Sequence, residues 1–273
     1  MSKRILVINP GSTSTKIALF EGDRKVFDET QRYTSEELSS FHWVMEQVDF
    51  RRAAIEKALA GHDIDMTTLD GICARGGQLP SCESGTYLVD QTMVDYMYTV
   101  KNAAHASNLG CVLALRLAQP LKIPAFICDP VAVDEMVDEA RVTGLPEITR
   151  VMLGHALNCR AMARRCAEEV LHKPLEECRL IVLHLGGGSS VRLFIGGRMV
   201  DGVRDDEWMF APERMGGVSL QPLVHLCYSG KYTEKQMMDF IRGKGGLVAH
   251  LGTSDAREVE KRIADGDAHA KLV

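Results

Sequence analysis

The stretch ILVINPGSTSTKIALF, residues 5–20, places a polar turn between two apolar runs. The apolar runs have the length and composition of short β-strands, and the turn between them has a glycine followed by four hydroxyl residues. Backbone N–H groups and hydroxyls in such a turn are well suited to an anion, most often a phosphate. Taken alone, the stretch predicts only a turn that can hold an anion.

A second stretch repeats this arrangement. LIVLHLGGGSSVRLFIGGRMV, residues 180–200, aligns with ILVINPGSTSTKIALFEGDRKV, residues 5–26, through two strands, a small-residue turn and a glycine hairpin. Gly11 aligns with Gly186, and we place a one-residue slip near the hairpin. The repeat predicts two similar lobes, each of which begins with a β-hairpin.

Short apolar runs alternate with helical patterns along the whole chain, which predicts an α/β protein. We predict strands over residues 4–9, 15–20, 24–30, 71–74, 125–128, 180–184, 191–195 and 198–203, and helices over residues 43–59, 92–101, 107–118, 150–171, 220–227, 234–242 and 256–264. The lobes are predicted at residues 1–147 and 148–273. Because the repeat has an offset of 175 and the chain has 273 residues, we expect the second lobe to be incomplete.

Composition and net charge limit the kinds of molecule that the chain is expected to bind. The chain has 45% hydrophobic and 25% charged residues, which is typical of a globular protein in water. A net charge of -5 and the lack of a dense Lys/Arg block argue against a nucleic-acid partner, and the sequence has no apolar run long enough for a membrane span. Eight scattered cysteines without a CxxC pair indicate reduced thiols and a cytoplasmic location.

Two common phosphate-binding motifs do not fit. The chain has no GxxxxGK[ST] loop, and neither polar turn matches a GxGxxG turn that opens a crossover helix. Two turns at equivalent places in two lobes would face each other across a nucleotide cleft and hold both ends of a polyphosphate. Actin-like (ribonuclease H-like) sugar and acid kinases use that arrangement.

Seven segments in order make the resemblance specific: VINPGSTSTK, ARGG, SGTY, HASNLG, HLGGGSS, PERMGG and RGKGGLVAHLGTSDAREV. Together they resemble the acetate/butyrate kinase family of the sugar kinase, heat-shock and actin superfamily. The resemblance implies ATP- and Mg²⁺-dependent phosphoryl transfer between ADP and a short-chain acyl phosphate. Butyrate is the implied acid, and acetate, propionate or a branched-chain acid are the alternatives.

The resemblance also implies roles for individual residues. In the first turn, Asn9 matches the metal-side residue, and the residues near the transferred phosphate are Ser12, Thr13, Ser14 and Lys16. The second phosphate loop comprises His184, Gly186, Gly187, Gly188 and Ser189, and the adenosine-side pair is Asp255 and Arg257. The family's catalytic cleft positions fall on His105, Asp129, His155 and Arg214. Arg75 is a further candidate for substrate binding, although acetate kinases have a histidine at its position.

The chemistry explains these residue types. Phosphoryl transfer requires positioning and charge neutralisation, which Arg214 and His155 can provide by donating hydrogen bonds to phosphoryl oxygens. A carboxylate acceptor with a pKa of about 4–5 is already ionised near neutral pH, so no general base is needed. We therefore expect Asp129 to act on the metal, together with Asn9, or on orientation. Structural alternatives stay open: His155 as a helix core or cap residue, Asp129 as a turn residue before a proline, and His184 as a strand end.

Some residues depart from the family pattern. Met215 replaces a serine, and residues 205–208 and 78–83 replace a glycine-containing segment and an apolar segment, all near the expected acyl pocket. Two rival functions remain, namely a catalytically inactive nucleotide-binding protein and a sugar kinase with a hydroxyl acceptor. A homo-oligomer is also a possible assembly.

Overall fold

The computed structural model describes residues 2–100 and 105–273 and divides into two compact units, Met1–Asp134 and Glu135–Val273. The sequence places the boundary later, at residues 147/148. The structure places the boundary earlier because Glu135 and Val137 are bonded to residues that come later in the second unit. The Glu135 carboxylate accepts a hydrogen bond from the Met199 N–H at 2.8 Å and pairs with Arg160 at 3.3 Å, and Val137 N–H donates to the Val200 carbonyl.

The elements of the first unit are β1 (Arg4–Pro10), β2 (Ser14–Glu21), β3 (Arg24–Arg32), α1 (Ser35–Ser39), α2 (Val48–Gly61), β4 (Gly71–Arg75), β5 (Thr86–Leu88), α3 (Gln91–Thr99), α4 (Leu109–Ala118) and β6 (Ala125–Cys128). The strands form a six-stranded sheet with the order β3-β2-β1-β4-β6-β5. Strands β1, β2 and β3 are antiparallel, β4 and β6 run parallel to β1, and β5 is antiparallel to β6. This is the ribonuclease H-like arrangement that the sequence predicts.

The core of the first unit follows directly from strand alternation. Leu6 and Ile8 on β1 and Ile17 and Leu19 on β2 are at most 1% exposed, because alternate residues of a strand point to one face of the sheet. Helices α2 and α4 cover this face, and Leu59 of α2 is fully buried there. The residues between them along each strand point to the opposite face of the sheet.

The elements of the second unit are α5 (Asp138–Arg141), α6 (Ala156–Arg165), which continues as a π-helix over Cys166–Leu171, β7 (Arg179–His184), β8 (Ser190–Ile195), β9 (Arg198–Val203), α7 (Leu220–Tyr228), α8 (Glu234–Ile241), α9 (Leu247–Leu251), α10 (Ala256–Ala264) and α11 (Ala268–Leu272). The strands form a three-stranded antiparallel sheet in the order β7-β8-β9. Strand β7 lies at the sheet edge, with Ile181 and Leu183 exposed.

The predicted repeat is confirmed by the strand register, with one correction. Leu6 pairs with Leu19 in the first unit and Ile181 pairs with Leu193 in the second, and a bulge follows each of these β2 and β8 leucines. The offset is therefore 175 on the first strand but 174 on the second. The one-residue slip lies in the polar turn, which is shorter in the second unit, and not near the hairpin.

All eight predicted strands are confirmed to within two residues, and β5, which has only three residues, was not predicted. The helices predicted at 220–227, 234–242 and 256–264 are confirmed. The helix predicted at 92–101 is confirmed as α3, although its last residue lies outside the described residues. The helices predicted at 43–59 and 107–118 each begin with a 3-10 turn, at Val44–Gln47 and Ala106–Asn108.

The helix predicted over residues 150–171 is wrong at its start, because α6 begins only at Ala156. Gly154 has a φ of 130°, which a continuous right-handed helix excludes. Arg192 also donates to the Leu153 carbonyl at 2.7 Å, and Arg150 donates to the Ala140 carbonyl at 2.7 Å. These tertiary hydrogen bonds hold the segment as a loop that leads to His155. Within the described ranges, no helix is long and apolar enough to cross a membrane.

Candidate functional site

The first polar turn joins β1 to β2 in the first unit. Asn9 and Lys16 pair across the ladder just before the turn closes, and the Gly11 N–H donates to the Ser14 carbonyl at 2.7 Å. The predicted phosphate-binding side chains are on the accessible side: Asn9, Ser12, Thr13 and Lys16 are exposed, and Ser14 is half-buried. Thr15 is fully buried beneath them. The geometry suits a site for a ligand that approaches the turn from solvent.

Arg51 of α2 lies behind this turn and was not singled out from the sequence. Its side chain is fully buried, and its guanidinium donates to the carbonyls of Gly11, Ser12 and Ser14 at 2.7, 2.9 and 3.0 Å. A sequence signal was available. Arg51 lies on the face of α2 that carries Val48, Ile55, Ala58 and Leu59. A charged residue within an apolar stripe requires buried hydrogen-bond partners.

Three predicted residues lie at the same edge of the first sheet. The carboxyl ends of parallel strands lie at the same edge, and there Asn9 follows β1 residue Ile8, Arg75 ends β4, and Asp129 follows β6. The close packing of this edge depends on Gly110 at the start of α4. A Cβ at Gly110 would lie 2.0 Å from the Arg75 carbonyl oxygen, so only glycine fits there. Burial lowers the pKa of the Arg75 guanidinium from its ordinary value.

Asp129 is 4% exposed and has a φ of 38°, a left-handed conformation that is uncommon for a residue other than glycine. Gly85 stabilises this conformation through two hydrogen bonds. The Gly85 N–H donates to Oδ1 of Asp129 at 2.9 Å, and the Asp129 N–H donates to the Gly85 carbonyl at 2.9 Å. The carboxylate therefore has a defined orientation at the strand edge, which a simple turn before Pro130 would not require.

His105 lies at the N-terminus of the 3-10 turn that precedes α4. The Ser107 N–H donates to Nδ1 of His105 at 3.2 Å, and the Ser107 hydroxyl lies 2.6 Å from the same atom. Because Nδ1 accepts a hydrogen bond, the neutral ring has its proton on Nε2. The neighbouring Asn108 accepts a hydrogen bond from the Gln78 N–H at 2.9 Å, which connects this turn to the end of β4.

A cavity of about 220 Å³ opens beside the first turn. Its wall is formed by Ser12, Phe41, His42, Trp43, Val44, Gln47 and Ala106. The cavity is thus lined by a hydroxyl of the phosphate turn, by three apolar side chains and by the residue next to His105.

The second polar turn joins β7 to β8 and packs against the PERMGG segment. The Glu213 N–H donates to the Gly187 carbonyl at 3.0 Å. A Cβ on Gly188 would lie 3.3 Å from Oδ2 of Asp205 and 3.4 Å from Nε of Arg214. Arg214, which the sequence assigned to the catalytic cleft, therefore lies in direct proximity to the second turn, and Asp205 is an additional residue there.

His155 and His184 stack face to face. Their ring centroids are 3.7 Å apart, and the ring planes differ by 6°. Nδ1 of His155 lies 3.0 Å from the Ser190 hydroxyl, and Nδ1 of His184 lies 2.9 Å from Nδ2 of Asn158. His155 stands at the N-terminal end of α6 without a side-chain capping bond. The structure thus brings these two predicted residues together at the second turn.

Asp205 carries two arginine contacts. Its Oδ2 accepts from Nε of Arg214 at 2.9 Å, and its Oδ1 lies 3.5 Å from Nη2 of Arg242. Burial acts to raise the pKa of Asp205, but the charges of Arg242, Arg214 and Arg204 outweigh burial and lower that pKa overall. Asp205 is thus an anion that orients two guanidinium groups. The sequence marked residues 205–208 only as a departure from the family.

Asp255 and Arg257, the predicted adenosine-side pair, lie at the N-terminus of α10. Arg257 Nε and Nη2 donate to the two oxygens of Asp255 at 2.9 and 2.7 Å, and the Arg257 N–H also donates to Oδ1 at 2.9 Å. The hydrogen bond from the Arg257 side chain is the main reason why the pKa of Asp255 is lowered to about 2. The contacts described for this pair are local, between Thr253 and Val259, and do not reach the second turn.

A magnesium site fits the donors of the first unit only in part. Mg²⁺ prefers oxygen ligands and usually keeps several waters and substrate phosphates. The Asn9 amide and the Asp129 carboxylate offer such oxygens at one sheet edge. Within residues 2–100 and 105–273, no group of three or more His, Cys, Asp or Glu side chains could hold a metal ion.

Comparison with solved structures first establishes the fold. Acetate kinase from Porphyromonas gingivalis superposes with a TM-score of 0.76 at 19% identity, covering 99% of this chain and 75% of that chain. A propionate kinase from Francisella tularensis superposes with a TM-score of 0.70 at 17% identity, covering 99% and 76%. At these identities the likeness shows the actin-like fold alone.

Sequence comparison then identifies the family. The model of the acetokinase family matches residues 155–273. The chain is 47% identical to probable butyrate kinase 2 of Caldanaerobacter subterraneus subsp. tengcongensis and 41% identical to butyrate kinase 1 of Clostridium acetobutylicum. Each alignment covers 272 residues, which is 99% of this chain and 76% of the relative. The chain belongs to the acetokinase family, and the family resemblance seen in the sequence is confirmed.

Proposed function

We propose that the chain is a short-chain carboxylate kinase that transfers a phosphoryl group between ATP and butyrate. The observation that carries this proposal is the 47% identity to a probable butyrate kinase over 99% of the chain. Family membership implies ATP or ADP as the nucleotide. The use of both polar turns for one nucleotide stays a prediction from the repeat.

The reaction requires little proton chemistry from the protein. A carboxylate oxygen of butyrate attacks the γ-phosphorus of ATP, the bond from that phosphorus to the bridging oxygen breaks, and the electron pair leaves with ADP. Because a carboxylate is ionised near neutral pH, Asp129 is not needed as a base. Its bond from Gly85 N–H supports an orienting role instead.

We assign the charge-neutralising role to Arg214 and His155. Arg214 lies beside Gly188 of the second turn, and His155 is oriented by its stack on His184 and by the Ser190 hydroxyl. Such donors stabilise the charge that develops on the phosphoryl oxygens. A bound Mg²⁺ would be held through Asn9 and Asp129 and would supply further neutralisation of the phosphates.

The acceptor is assigned to short aliphatic acids. The cavity beside Ser12 has Phe41, Trp43 and Val44 in its wall, which suits a short alkyl chain next to a phosphate-binding hydroxyl. This location differs from the acyl pocket expected from the sequence, because Met215 and residues 78–83 and 205–208 do not line this cavity. Because one methylene changes discrimination by only about 1–3 kcal/mol, acetate, propionate and branched acids remain the alternative acceptors.

An acyl hydroxamate assay tests the proposal. The full chain is incubated with ATP, Mg²⁺, hydroxylamine and each of a panel of acids, and in parallel with hexoses while ADP release is followed. We expect hydroxamate with butyrate and neighbouring acids, and no hexose-dependent ADP release. Arg214→Ala should abolish hydroxamate formation, whereas Arg165→Ala, which removes an exposed arginine paired with Glu169, should not change it.

Two results would contradict the proposal. Nucleotide binding without hydroxamate from any acid would favour an inactive nucleotide-binding protein. Hexose-dependent ADP release without hydroxamate would favour a sugar kinase.

A further inference from the structure

Arg51 makes an unusual set of hydrogen bonds for a fully buried cation. Besides the three turn carbonyls, it donates to the Thr15 hydroxyl at 3.1 Å and to Oε1 of Gln47 at 3.0 and 2.8 Å. Its guanidinium carbon lies 4.7 Å from the centroid of the Tyr33 ring. Tyr33 in turn donates from its hydroxyl to Thr15 at 3.0 Å. The guanidinium is therefore held in one position from several sides.

These partners are all electrically neutral: carbonyls, a hydroxyl, an amide and an aromatic ring. Arginine keeps its charge in proteins, although burial lowers the pKa of Arg51 from its ordinary value. The burial of a charge is costly unless hydrogen bonds compensate for it. The five N–H groups of Arg51 make six contacts with acceptors, so one N–H of Nη1 is shared, and they compensate for this burial. A positive charge therefore lies directly behind the turn, where it can attract an anion.

The bonds from Arg51 also determine the direction of the peptide groups. In a planar trans peptide, the N–H of one residue points away from the carbonyl of the residue before it. The Gly11 and Ser12 carbonyls point to Arg51, so the N–H groups of Ser12 and Thr13 point away from it. The Thr13 carbonyl accepts from the Tyr33 N–H at 2.9 Å, which fixes the orientation of the next peptide group as well.

We propose that Arg51 is the positioning residue of the first phosphate turn. By binding the carbonyls of Gly11, Ser12 and Ser14 from behind, it directs the N–H groups of Ser12 and Thr13 toward the phosphate ligand. This inference rests on the proposed function, in which the turn holds a phosphate of ATP or of an acyl phosphate. Arg51 acts through the turn and does not touch the reacting atoms.

Titration of the full chain with ATP in the presence of Mg²⁺ tests this role by calorimetry. Arg51→Met should weaken the Kd for ATP by about tenfold or more, since several positioned N–H donors are lost together. Arg51→Lys keeps the charge and up to three donors, so it should restore part of the affinity. In steady-state assays the KM for ATP should rise more than the KM for the acid.

A matched control separates positioning from general stability. Leu59→Ala removes a fully buried side chain of the same helix α2 that packs in the core, and it should lower the melting temperature without changing the Kd for ATP. If Arg51→Met fails to fold, Gln47→Leu provides a second test, because it removes the amide that anchors the guanidinium. Gln47 also lines the cavity assigned to the acid, so this test uses ATP without the acid. Gln47→Leu should weaken ATP binding by a few-fold.

The outcomes are distinct. Unchanged ATP affinity in a folded Arg51→Met, or in Gln47→Leu where Arg51→Met does not fold, overturns the inference, as does an equal loss in Leu59→Ala. If the wild-type chain binds ATP in an Arg51-dependent manner but forms no acyl hydroxamate, the proposed carboxylate kinase fails and the role of Arg51 stands. If the wild-type chain does not bind ATP, both fail.

Discussion

Asp205 holds Arg214 by accepting a hydrogen bond from its Nε at 2.9 Å, next to Gly188 of the second turn. The arginine assigned to the transferred phosphoryl group is thus oriented by a carboxylate that the sequence resemblance did not imply. The bond uses Nε and leaves the two terminal nitrogens of the guanidinium for other partners, one of which is the Glu213 carbonyl at 3.1 Å. We therefore expect Asp205 to influence the reaction through Arg214.

Replacement of Asp205 should therefore lower kcat. We expect Asp205→Ala to reduce kcat by about 10- to 100-fold, because a misplaced phosphoryl-binding group is costly in rate. Asp205→Asn retains an oxygen acceptor and should lose less. The matched control is Asp206→Asn, since Asp206 pairs with Arg204 at 2.9 Å and not with Arg214. An equal loss in both asparagine variants would contradict a specific role for Asp205.

The same carboxylate should contribute to stability in a defined pH range. The neighbouring arginines lower the pKa of folded Asp205 below the unfolded value of about 3.9. Its contribution is therefore present above the unfolded pKa and is lost as the pH falls through the lower folded pKa. We expect the melting temperatures of wild type and Asp205→Asn to differ most near neutral pH and to converge below about pH 4. A constant difference from pH 7 downward would contradict this.

Arg192, like Arg51, is a buried arginine that donates to backbone carbonyls, one of which is in the loop that leads to His155. It is 1% exposed, and it donates to the carbonyls of Leu153, Val191 and Val203 at 2.7, 2.9 and 3.0 Å. Arg192→Met removes the donor that these three carbonyls share and should destabilise the protein by about 2–5 kcal/mol. It should also lower kcat, because the His155–His184 stack loses its support.

The measurement for Arg192→Met combines chemical denaturation, kcat and the NMR shifts of the histidine rings. Leu175→Ala serves as the control, since it removes a buried side chain of the second unit away from this loop. Both variants are assayed at a temperature at which circular dichroism shows them folded. Lower kcat in Leu175→Ala to the same degree would mean that the effect is only a loss of stability.

The sequence was sufficient for features that depend on local pattern. Strand alternation predicts the burial of Leu6, Ile8, Ile17 and Leu19, and paired glycines predict the hairpin at Gly196, whose φ is 61°. Both predictions require only the period of the strand and the turn chemistry of glycine. The parallel order of β1, β4 and β6, which brings Asn9, Arg75 and Asp129 to one edge, was not predicted and comes from the structure.

The remaining features depend on contacts between distant residues. The position of the one-residue slip could not be read from the sequence, because small residues fill both turns and either alignment matches the side chains equally. The late start of α6 depends on the hydrogen bond from Arg192 to the Leu153 carbonyl, and Arg192 lies almost forty residues after Leu153 in the chain. The role of Asp205 depends on its approach to Arg214 and Arg242, and local composition contains no sign of this.

Asp255 and Asp267 provide a matched pair for the predicted adenosine side. Each caps a helix in the second unit, α10 or α11, and each also binds an arginine: Asp255 binds Arg257, and Asp267 binds Arg262 at 2.9 Å. Only Asp255 and Arg257 match the family's adenosine-side segment.

We therefore expect Asp255→Ala to raise the KM for ATP several-fold and to leave the KM for butyrate unchanged. Asp267→Ala loses the same kind of cap and arginine partner, so it should lower the melting temperature to a similar degree while the KM for ATP stays at the wild-type value. If both variants raise the KM for ATP equally, the effect comes from helix stability, and the assignment of Asp255 to the nucleotide is wrong.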